Sequence, residues 1–380
     1  MHSTNFETVF MMKKFLIRSM QILLILVVLI VVGGFLYMFH PRFGTNASGE
    51  RLTLMEGKPN FKNGSFDNLE PTPALAEGTT YSDIMLSFFK KRERNVPKDL
   101  IPVVKSNLHA LPLDSNVYVW FGHSSYFMQL DGKRILVDPV FSKYATPVRI
   151  SVRAFNSTYD YTAADIPEVD ILFISHDHWD HLDYNTFMQL KGKIKHIVTG
   201  IGVGAHLEKW GYPANQITEL YWGETAEVAG FSITSTPARH FSGRAFKRNT
   251  SLWSSFVLNG SKKIFVGGDS GYGKHFKEIG TQYGPFDFVI LENGQYDKMW
   301  HYIHMMPEEV VQVAQELQAA YLIPVHSSKF PLANHSWDDP LIRVTTAAHA
   351  KHVDIITPQI GQVVSLDSVP ETSAWWEGLD

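Results

Sequence analysis

Four apolar runs, far apart in the chain, each lead to a histidine or an aspartate. "VDILFI" precedes a cluster that starts at His176, "FSITSTPAR" precedes His240, "KKIFVGG" precedes Asp269, and "AYLIPV" precedes His326. Short apolar runs that stop at turn residues are typical of buried strands. Side chains at the C-terminal ends of strands project onto one rim of a sheet. The pattern therefore predicts that these four distant positions converge.

The order of the predicted elements indicates an α/β fold. From Asn116 onward the early strands are linked by hairpin signals such as Asp131-Gly132, whereas helical patterns fall between the later strands. One of these, "PEEVVQVAQELQAA", begins with Pro307, which suits a first helical turn. Hairpins followed by strand–helix alternation predict two packed sheets flanked by helices.

The run "ISHDHWDHLD" places His176, His178, Asp180 and His181 within a few positions of one another. Chance would produce such a run in on the order of a few chains per thousand, so it indicates a metal site. His176 and His178 reach one ion if the loop is extended, whereas Asp180 and His181 turn toward a second. The chain has no cysteine, so the metals must be held by nitrogen and oxygen, which suits zinc, iron or manganese.

Several motifs carry a family resemblance. "SHDHWDHLD", "PARH", "VGGDSGY" and "PVHSS" resemble the metallo-β-lactamase superfamily in sequence and in spacing. "VWFGHSSYFMQLDGKRILVDPVFS", "FVGGDSGYGKHFKEIGTQYGPFDFVILENGQYD" and "IHMMPEEVVQ" are similar to the branch that includes N-acylphosphatidylethanolamine-hydrolysing phospholipase D and its bacterial relatives. The resemblance covers roughly residues 116–364 and implies a four-layer αββα sandwich.

The resemblance also implies two divalent metal ions with a hydroxide between them, zinc being expected and iron or manganese being alternatives. The expected ligands are His176, His178 and His240 for the first ion, Asp180, His181 and His326 for the second, and Asp269 as the bridge. The expected catalytic residues are Asp180, Asp269 and His304. His304 matches an active-site position of the phospholipase branch, although it also simply precedes a predicted helix.

Four further polar residues are expected to orient ligands from behind or to contact substrate: His123, Asp138, Arg239 and Arg244. An aspartate at a strand end commonly orients a ligand histidine, and guanidinium groups fit phosphate oxygens. A turn cap is the alternative for Asp138, and a surface ion pair is the alternative for the arginines.

An uncharged apolar run occupies residues 22–39 and, with two flanking residues, approaches the roughly 20 residues that cross a bilayer. We therefore predict one N-terminal transmembrane helix at residues 20–39. Lys13, Lys14 and Arg18 precede it and Arg42 follows, so residues 1–19 are expected in the cytoplasm and the remainder outside. A cleaved signal peptide, with "TNA" as its cleavage site, is the alternative.

Residues 40–110 are predicted to be a linker that follows the surface, and residues 111–380 the hydrolase domain. The basic run "KKRER" within the linker is interpreted as a solvated face, with contact to anionic headgroups as the alternative. The formal net charge of −4 argues against a nucleic-acid partner.

These features together predict a membrane-anchored, dinuclear metal-dependent hydrolase, namely a phosphodiesterase of phospholipase D type that acts on N-acylphosphatidylethanolamine-like lipids. Aromatic residues expected to line an acyl or headgroup path are Trp179, Trp222, Tyr296, Trp300, Tyr302, Trp375 and Trp376. The alternatives are a lactonase or other carboxylic-ester hydrolase of the same fold and a non-catalytic, membrane-tethered binding protein. The sequence leaves homodimer formation open.

Overall fold

The structure is a computed structural model that describes residues 3–89, 93–148 and 151–380. Most of the "KKRER" run, Lys90, Lys91 and Arg92, lies outside the described residues. Internal contacts divide the chain into two units, Met1–Phe43 and Gly44–Asp380.

The first unit is dominated by helix α1, Ser3–Tyr37. Its Thr8–Tyr37 portion is long and apolar enough to cross a membrane. The helix starts well before the predicted residue 20, because the preceding polar and basic residues include neither proline nor glycine and continue the same helix. It ends shortly before Pro41, which cannot donate a helical hydrogen bond.

The second unit contains the remaining helices and the strands found among the described residues. The helices are α2 Gly49–Glu56, α3 Tyr81–Phe89, α4 Tyr184–Leu190, α5 Gly204–Lys209, α6 His275–Tyr283, α7 Pro307–Glu316 and α8 Asp339–Ala350. The strands are β1 Phe61–Lys62, β2 Ser65–Phe66, β3 Val117–Trp120, β4 Tyr126–Leu130, β5 Lys133–Val137, β6 Val169–Ile174, β7 Ile194–Gly200, β8 Ile217–Leu220, β9 Thr225–Val228, β10 Phe231–Thr236, β11 Ser255–Asn259, β12 Lys263–Val266, β13 Phe286–Glu292, β14 Ala319–Val325 and β15 Val363–Ser365.

Two large sheets form the centre of the second unit. One has the strand order β15-β3-β4-β5-β6-β7-β8, and the other has the order β14-β13-β12-β11-β10-β9. In both sheets the hairpin strands are antiparallel, whereas β5 to β8 and β12 to β14 run parallel. The predicted change from hairpins to strand–helix alternation is thus present in each sheet.

Strand β6 shows why the apolar runs are continuous. Ile171 and Phe173 enter the core between the sheets, while Leu172 and Ile174 enter a second core beneath helices α4 and α5. Side chains alternate between the two faces of a strand, so a strand covered on both faces needs apolar residues at every position. Helices α6, α7 and α8 cover the other sheet in the same way. The predicted four-layer αββα sandwich is confirmed.

The segment that was predicted to be a linker and entry segment, residues 40–110, contributes elements that pack on the hydrolase domain, and Gly44–Asp380 form one compact unit. Arg51 of α2 forms ion pairs of 2.6 Å with Glu208 and with Glu219. Phe61 and Phe66, from the short hairpin β1–β2, are buried in one cluster with other aromatic side chains. The apolar residues of this segment are too scattered for a periodic signal, yet they are buried because the segment folds back onto the domain.

His275, the first residue of helix α6, makes the stability of the folded chain depend on pH. Burial, together with the Arg239 charge, lowers the pKa of His275 from the usual 6.5 to about 3. Between these values the unfolded chain binds a proton that the folded chain does not, so the stability present above pH 6.5 is lost as the pH falls toward 3. At pH 5 the loss is about 2 kcal/mol. Other buried histidines with lowered pKa values add to the loss in the metal-free chain. The share of His275 is therefore the difference between the losses of the wild type and of a His275 variant, measured by denaturant unfolding at pH 7 and pH 5.

The matched variant for this pH prediction is His275→Gln, which stays neutral at both pH values. It is expected to lose less stability than the wild type between pH 7 and pH 5. Equal losses in the two proteins would contradict the prediction.

Candidate metal centre

The four strand ends singled out in the sequence meet at one rim, between the two sheets. His176 follows β6, His240 follows β10, Asp269 follows β12 and His326 follows β14. All four side chains are buried. The parallel strands of each sheet point their carboxyl ends to this rim, so residues from both sheets face one another there.

One group of ligand atoms comes from His176, His178 and His240. The Nδ1 atom of His178 lies 2.8 Å from His176 Nε2 and 3.2 Å from His240 Nε2. These three residues form one of the sets whose nitrogen and oxygen atoms all lie within 4.8 Å of one another. They are the residues expected to share the first ion.

A second group contains Asp180, His181 and His326, together with His123. The Nε2 atom of His181 lies 3.6 Å from Asp180 Oδ2, and His123 Nε2 lies 2.8 Å from the same oxygen. His123 is therefore placed behind Asp180, where it orients that carboxylate.

Asp269 lies between the two groups. Its Oδ2 atom is 3.1 Å from His181 Nε2, 3.8 Å from His240 Nε2 and 3.9 Å from His176 Nε2. Its Oδ1 atom is 3.2 Å from His326 Nδ1. A single carboxylate thus approaches imidazoles of both groups, as a bridging ligand must.

The unpaired polar atoms of this cluster fit metal binding. Buried atoms without a hydrogen bond of normal geometry include His178 Nε2, His181 Nε2 and Asp269 Oδ1, despite the short interatomic distances. Burying such atoms without a partner is costly, whereas imidazole nitrogens and a carboxylate are suitable ligands for a divalent cation. The residues present therefore fit a metal held by nitrogen and oxygen.

The electrostatics of the histidines agree with this interpretation. Burial and the neighbouring imidazoles hold the pKa values of His176, His240 and His326 well below the usual 6.5. These rings are neutral at pH 7, which is the form that binds metal.

The pKa of His181 is shifted in the opposite direction. Burial opposes its protonation, but the surrounding carboxylates, Asp269 foremost, outweigh burial and raise the pKa of His181 well above its usual value. The centre of the cluster therefore favours positive charge.

Further side chains hold the ligand rings in place. Asp138 Oδ2 lies 2.8 Å from His181 Nδ1, and Ser124 Oγ lies 2.8 Å from His326 Nδ1. The Nδ1 atom of His240 lies 2.9 Å from the carbonyl oxygen of Ile303. Such partners fix the orientation of a ligand ring and can change metal affinity by 10- to 100-fold. Asp138 lies behind a ligand, where the sequence prediction placed it.

Three of these residues have backbones in the left-handed region. The φ angles of His123, Asp138 and His326 are 53°, 40° and 69°. Non-glycine residues rarely adopt such angles, each at a cost on the order of 1–2 kcal/mol, and they concentrate at functional sites. The surrounding hydrogen bonds stabilise these angles and thereby fix the side-chain directions.

Arg239 and Arg244 were expected to orient ligands from behind or to contact substrate, and both donate to the loops around the cluster. The buried Arg244 donates from Nη1 to the carbonyl oxygens of Asp177 and Leu182, at 2.8 and 2.7 Å. Arg239 donates to the carbonyl oxygens of Tyr272 and Pro71. Both guanidinium groups are engaged by backbone, because the loops that carry the ligands leave carbonyl groups without strand partners. They brace those loops.

Sequence reasoning missed Asp177, which lies between two predicted ligands. Its carboxylate points away from the cluster and accepts hydrogen bonds from Gly243 N at 2.6 Å and Ser251 Oγ at 2.9 Å. His206 Nε2 lies 3.1 Å from the same carboxylate. No sequence signal distinguishes this acid from its neighbours, since only the direction of the side chain separates the roles.

Glu292 was also missed, although a signal was present. It ends strand β13, so the rule that located the ligands also indicates this residue. The buried carboxylate accepts from Met305 N at 2.7 Å and lies 3.2 Å from His304 Nδ1. His304 has a ligand atom within 4.8 Å of those of His240 and Asp269. The structure thus brings His304 to the cluster.

The aromatic residues expected along a lipid path fall into two classes. Trp222, Tyr296 and Trp376 are buried in the protein core, and Trp375 packs against that core. These four side chains fill space between elements. Trp179, Trp300 and Tyr302 are partly exposed and belong to the loops of the cluster: Arg244 lies 4.0 Å from the ring centroid of Trp179, and Arg239 lies 4.8 Å from that of Tyr302.

Comparison with known proteins places this geometry in a family. The model of the family described as "Beta-lactamase superfamily domain" matches residues 133–327, which contain all seven predicted ligands. An uncharacterized protein of Mycobacterium tuberculosis is 36% identical over 339 residues, which is 88% of this chain and 91% of that protein.

Two further comparisons concern the branch of the superfamily and the fold of the domain. The mitochondrial N-acyl-phosphatidylethanolamine-hydrolyzing phospholipase D of Saccharomyces cerevisiae is 32% identical over 58% of this chain and 49% of its own length. The structure of Igni18, a metallo hydrolase from Ignicoccus hospitalis, aligns with a TM-score of 0.50 at 22% identity, over 66% of this chain and 98% of that chain.

The resemblance and the fold predicted from the sequence are both confirmed. A metallo-β-lactamase fold with a buried histidine and aspartate cluster that can bind metal makes the chain a metal-dependent hydrolase. The chain belongs to the β-lactamase superfamily, in the branch that includes the N-acyl-phosphatidylethanolamine-hydrolyzing phospholipases D.

Proposed function

We propose that the chain is a membrane-anchored, dinuclear phosphodiesterase of phospholipase D type that acts on N-acylphosphatidylethanolamine-like lipids. The observation that carries the proposal is the position of the Asp269 carboxylate between two groups of buried ligand side chains. The activity printed for the yeast relative and the apolar helix of the same chain support the lipid substrate.

The proposed ligand sets are those expected from the sequence. His176, His178 and His240 would hold one ion, Asp180, His181 and His326 would hold the other, and Asp269 would be shared by both. Zinc is the proposed metal, because five imidazoles and two carboxylates without any thiolate suit it, with iron and manganese as the alternatives. When bound, two such ions supply a hydroxide at neutral pH and stabilise negative charge that develops on a phosphoryl group.

The chain itself orients the substrate. Glu292 Oε2, 3.2 Å from His304 Nδ1, fixes that ring and leaves Nε2 for a phosphate oxygen. In the overall reaction one P–O bond forms from water and the P–O bond to the headgroup breaks. The headgroup oxygen takes up a proton. The products are a phosphatidic acid and the headgroup alcohol.

A substrate panel tests the proposal on the purified full chain after metal analysis. We expect close to two metal ions per chain and turnover of long-chain N-acylphosphatidylethanolamine in mixed micelles. The comparison substrates are plain phosphatidylethanolamine, a generic phosphodiester, a soluble lactone and a β-lactam. Efficient hydrolysis of the lactone with no turnover of the lipid would replace the phospholipase by a lactonase. A chain that binds metal but turns over no substrate would indicate a binding protein.

The location of the hydrolase unit gives a separate prediction. Lys13, Lys14 and Arg18 lie toward the N-terminal end of α1, with Arg42 after the helix, so the positive-inside bias places the N-terminus in the cytoplasm. A reporter enzyme that works only outside the cytoplasm is expected to be active when fused after Asp380. Replacing the three preceding basic residues by alanine should weaken this orientation. A C-terminal reporter that is active only in the cytoplasm would overturn the prediction.

A further inference from the structure

The segment of residues 66–72 reaches the metal centre from outside the family match. The sequence predicted it to be linker, and it precedes the matched residues 133–327 by more than 60 positions. Phe66 N donates to the carbonyl oxygen of Asn249 at 2.8 Å, which places the segment beside the loop that carries His240. This contact brings the side chain of Asn68 to the backbone of a proposed ligand.

We infer that Asn68 is a positioning residue for His240, an inference that rests on the proposed metal centre. The Nδ2 atom of Asn68 donates to the carbonyl oxygen of His240 at 2.7 Å. Its Oδ1 atom accepts from the backbone N–H of His240 at 3.1 Å. One amide side chain thus satisfies both backbone groups of the ligand, as a neighbouring strand does in a sheet.

His240 needs such a partner because of its place in the chain. Strand β10 ends at Thr236 and Pro237 follows, so His240 lies beyond the regular hydrogen bonds of the sheet. Metal ligands must be held to within about 0.5 Å of the productive geometry. The imidazole is oriented by Ile303, and Asn68 holds the backbone to which that ring is attached.

Asn68 is itself fixed. The indole Nε1 of the buried Trp253 lies 3.1 Å from Asn68 Oδ1 and also donates to the carbonyl oxygen of Ala238 at 2.9 Å. Further along the same segment, Thr72 Oγ1 accepts a hydrogen bond from Arg239 Nε at 3.0 Å. The segment and the ligand loop are therefore joined at several points, and the amide of Asn68 cannot rotate without breaking bonds at both of its ends.

The test measures Zn²⁺ binding to the full chain, by competition with a chromophoric chelator. Asn68→Ala is expected to raise the dissociation constant of the ion held by His240 by about 10-fold, as for other residues that orient ligands. It should also lower kcat at saturating Zn²⁺ while KM is unchanged. Asn68→Asp keeps the acceptor for His240 N–H but sets a carboxylate oxygen against the carbonyl oxygen of His240, so its effect should be at least as large as that of alanine.

The matched control is Asp67→Asn, an isosteric change at an exposed side chain of the same segment. It is expected to bind Zn²⁺ like the wild type. The inference is overturned if Asn68→Ala binds Zn²⁺ within twofold of the control, or if it loses only thermal stability in the metal-free form. If Asn68→Ala does not fold, Asn68→Asp decides by the same criteria. A wild type that takes up no Zn²⁺ would instead overturn the metal centre itself.

Discussion

Replacing Asp269 by alanine is expected to lower turnover of the metal-reloaded enzyme by roughly three orders of magnitude or more. The carboxylate approaches His181 and His326 from the second group and His176 and His240 from the first, at 3.1 to 3.9 Å. Alanine removes the carboxylate that approaches both groups. The readouts are kcat on a phosphodiester substrate and the metal content per chain.

The control for Asp269 is Asp354→Ala, because Asp354 is exposed and lies outside the cluster. It should retain wild-type kcat and metal content. Asp269→Asn separates shape from charge: it keeps the size of the side chain, but it is expected to lose most activity, since a neutral amide is a poor bridge between two cations. Wild-type turnover by metal-loaded Asp269→Ala would contradict a dinuclear catalytic site.

Replacing Asp177 by alanine is expected to reduce the free energy of unfolding by about 3–5 kcal/mol. The buried carboxylate accepts from Gly243 N and Ser251 Oγ, and His206 Nε2 lies 3.1 Å away. Its negative charge also faces the buried guanidinium of Arg244, and these neighbours hold the pKa of Asp177 well below its usual range against the effect of burial. Removing the carboxylate leaves a buried positive charge and unpaired donors.

Denaturant unfolding of the metal-free full chain measures this effect without a contribution from ligand binding. Asp170→Ala is the comparison, because Asp170 is partly exposed and pairs with Lys195 at 3.0 Å. Its loss should be smaller, about 1–2 kcal/mol, because the ion pair is partly exposed and only one backbone donor, Arg134 N, loses its acceptor. Equal losses at positions 177 and 170 would show that the buried network around Asp177 contributes little to stability.

The positions of the ligand side chains could be predicted because each rests on a local pattern. An apolar run covered on both faces can only be a buried strand, and the polar residue at its carboxyl end must then lie at the rim. The same rule indicates Glu292, which was overlooked only because a glutamate at a strand end resembles an ordinary turn residue. The four-layer fold could be predicted for the same reason, since hairpins and strand–helix alternation each produce a recognisable pattern within a short stretch of sequence.

The roles of Asn68, Arg239 and Arg244 could not be predicted in this way. Asn68 contacts a residue 172 positions away, and no periodicity connects the two. The arginines donate to backbone carbonyl groups of distant loops, and no local pattern indicates those partners. The packing of the segment that begins at Gly44 was equally hidden, because its scattered apolar residues become a core only when they meet Trp253.

The sequence by itself determined the strands, the apolar helix and the type of atom available to bind metal, because hydrophobic period and side-chain chemistry act over a few residues. Only the tertiary structure decided which of the polar side chains face the centre and which support it from behind. Asp177 and its two histidine neighbours in "HDH" all carry side chains that can bind metal, so the sequence alone does not separate them. The fold points one carboxylate into a network of buried donors and the flanking imidazoles into the cluster, and that difference in direction separates structural from metal-binding roles.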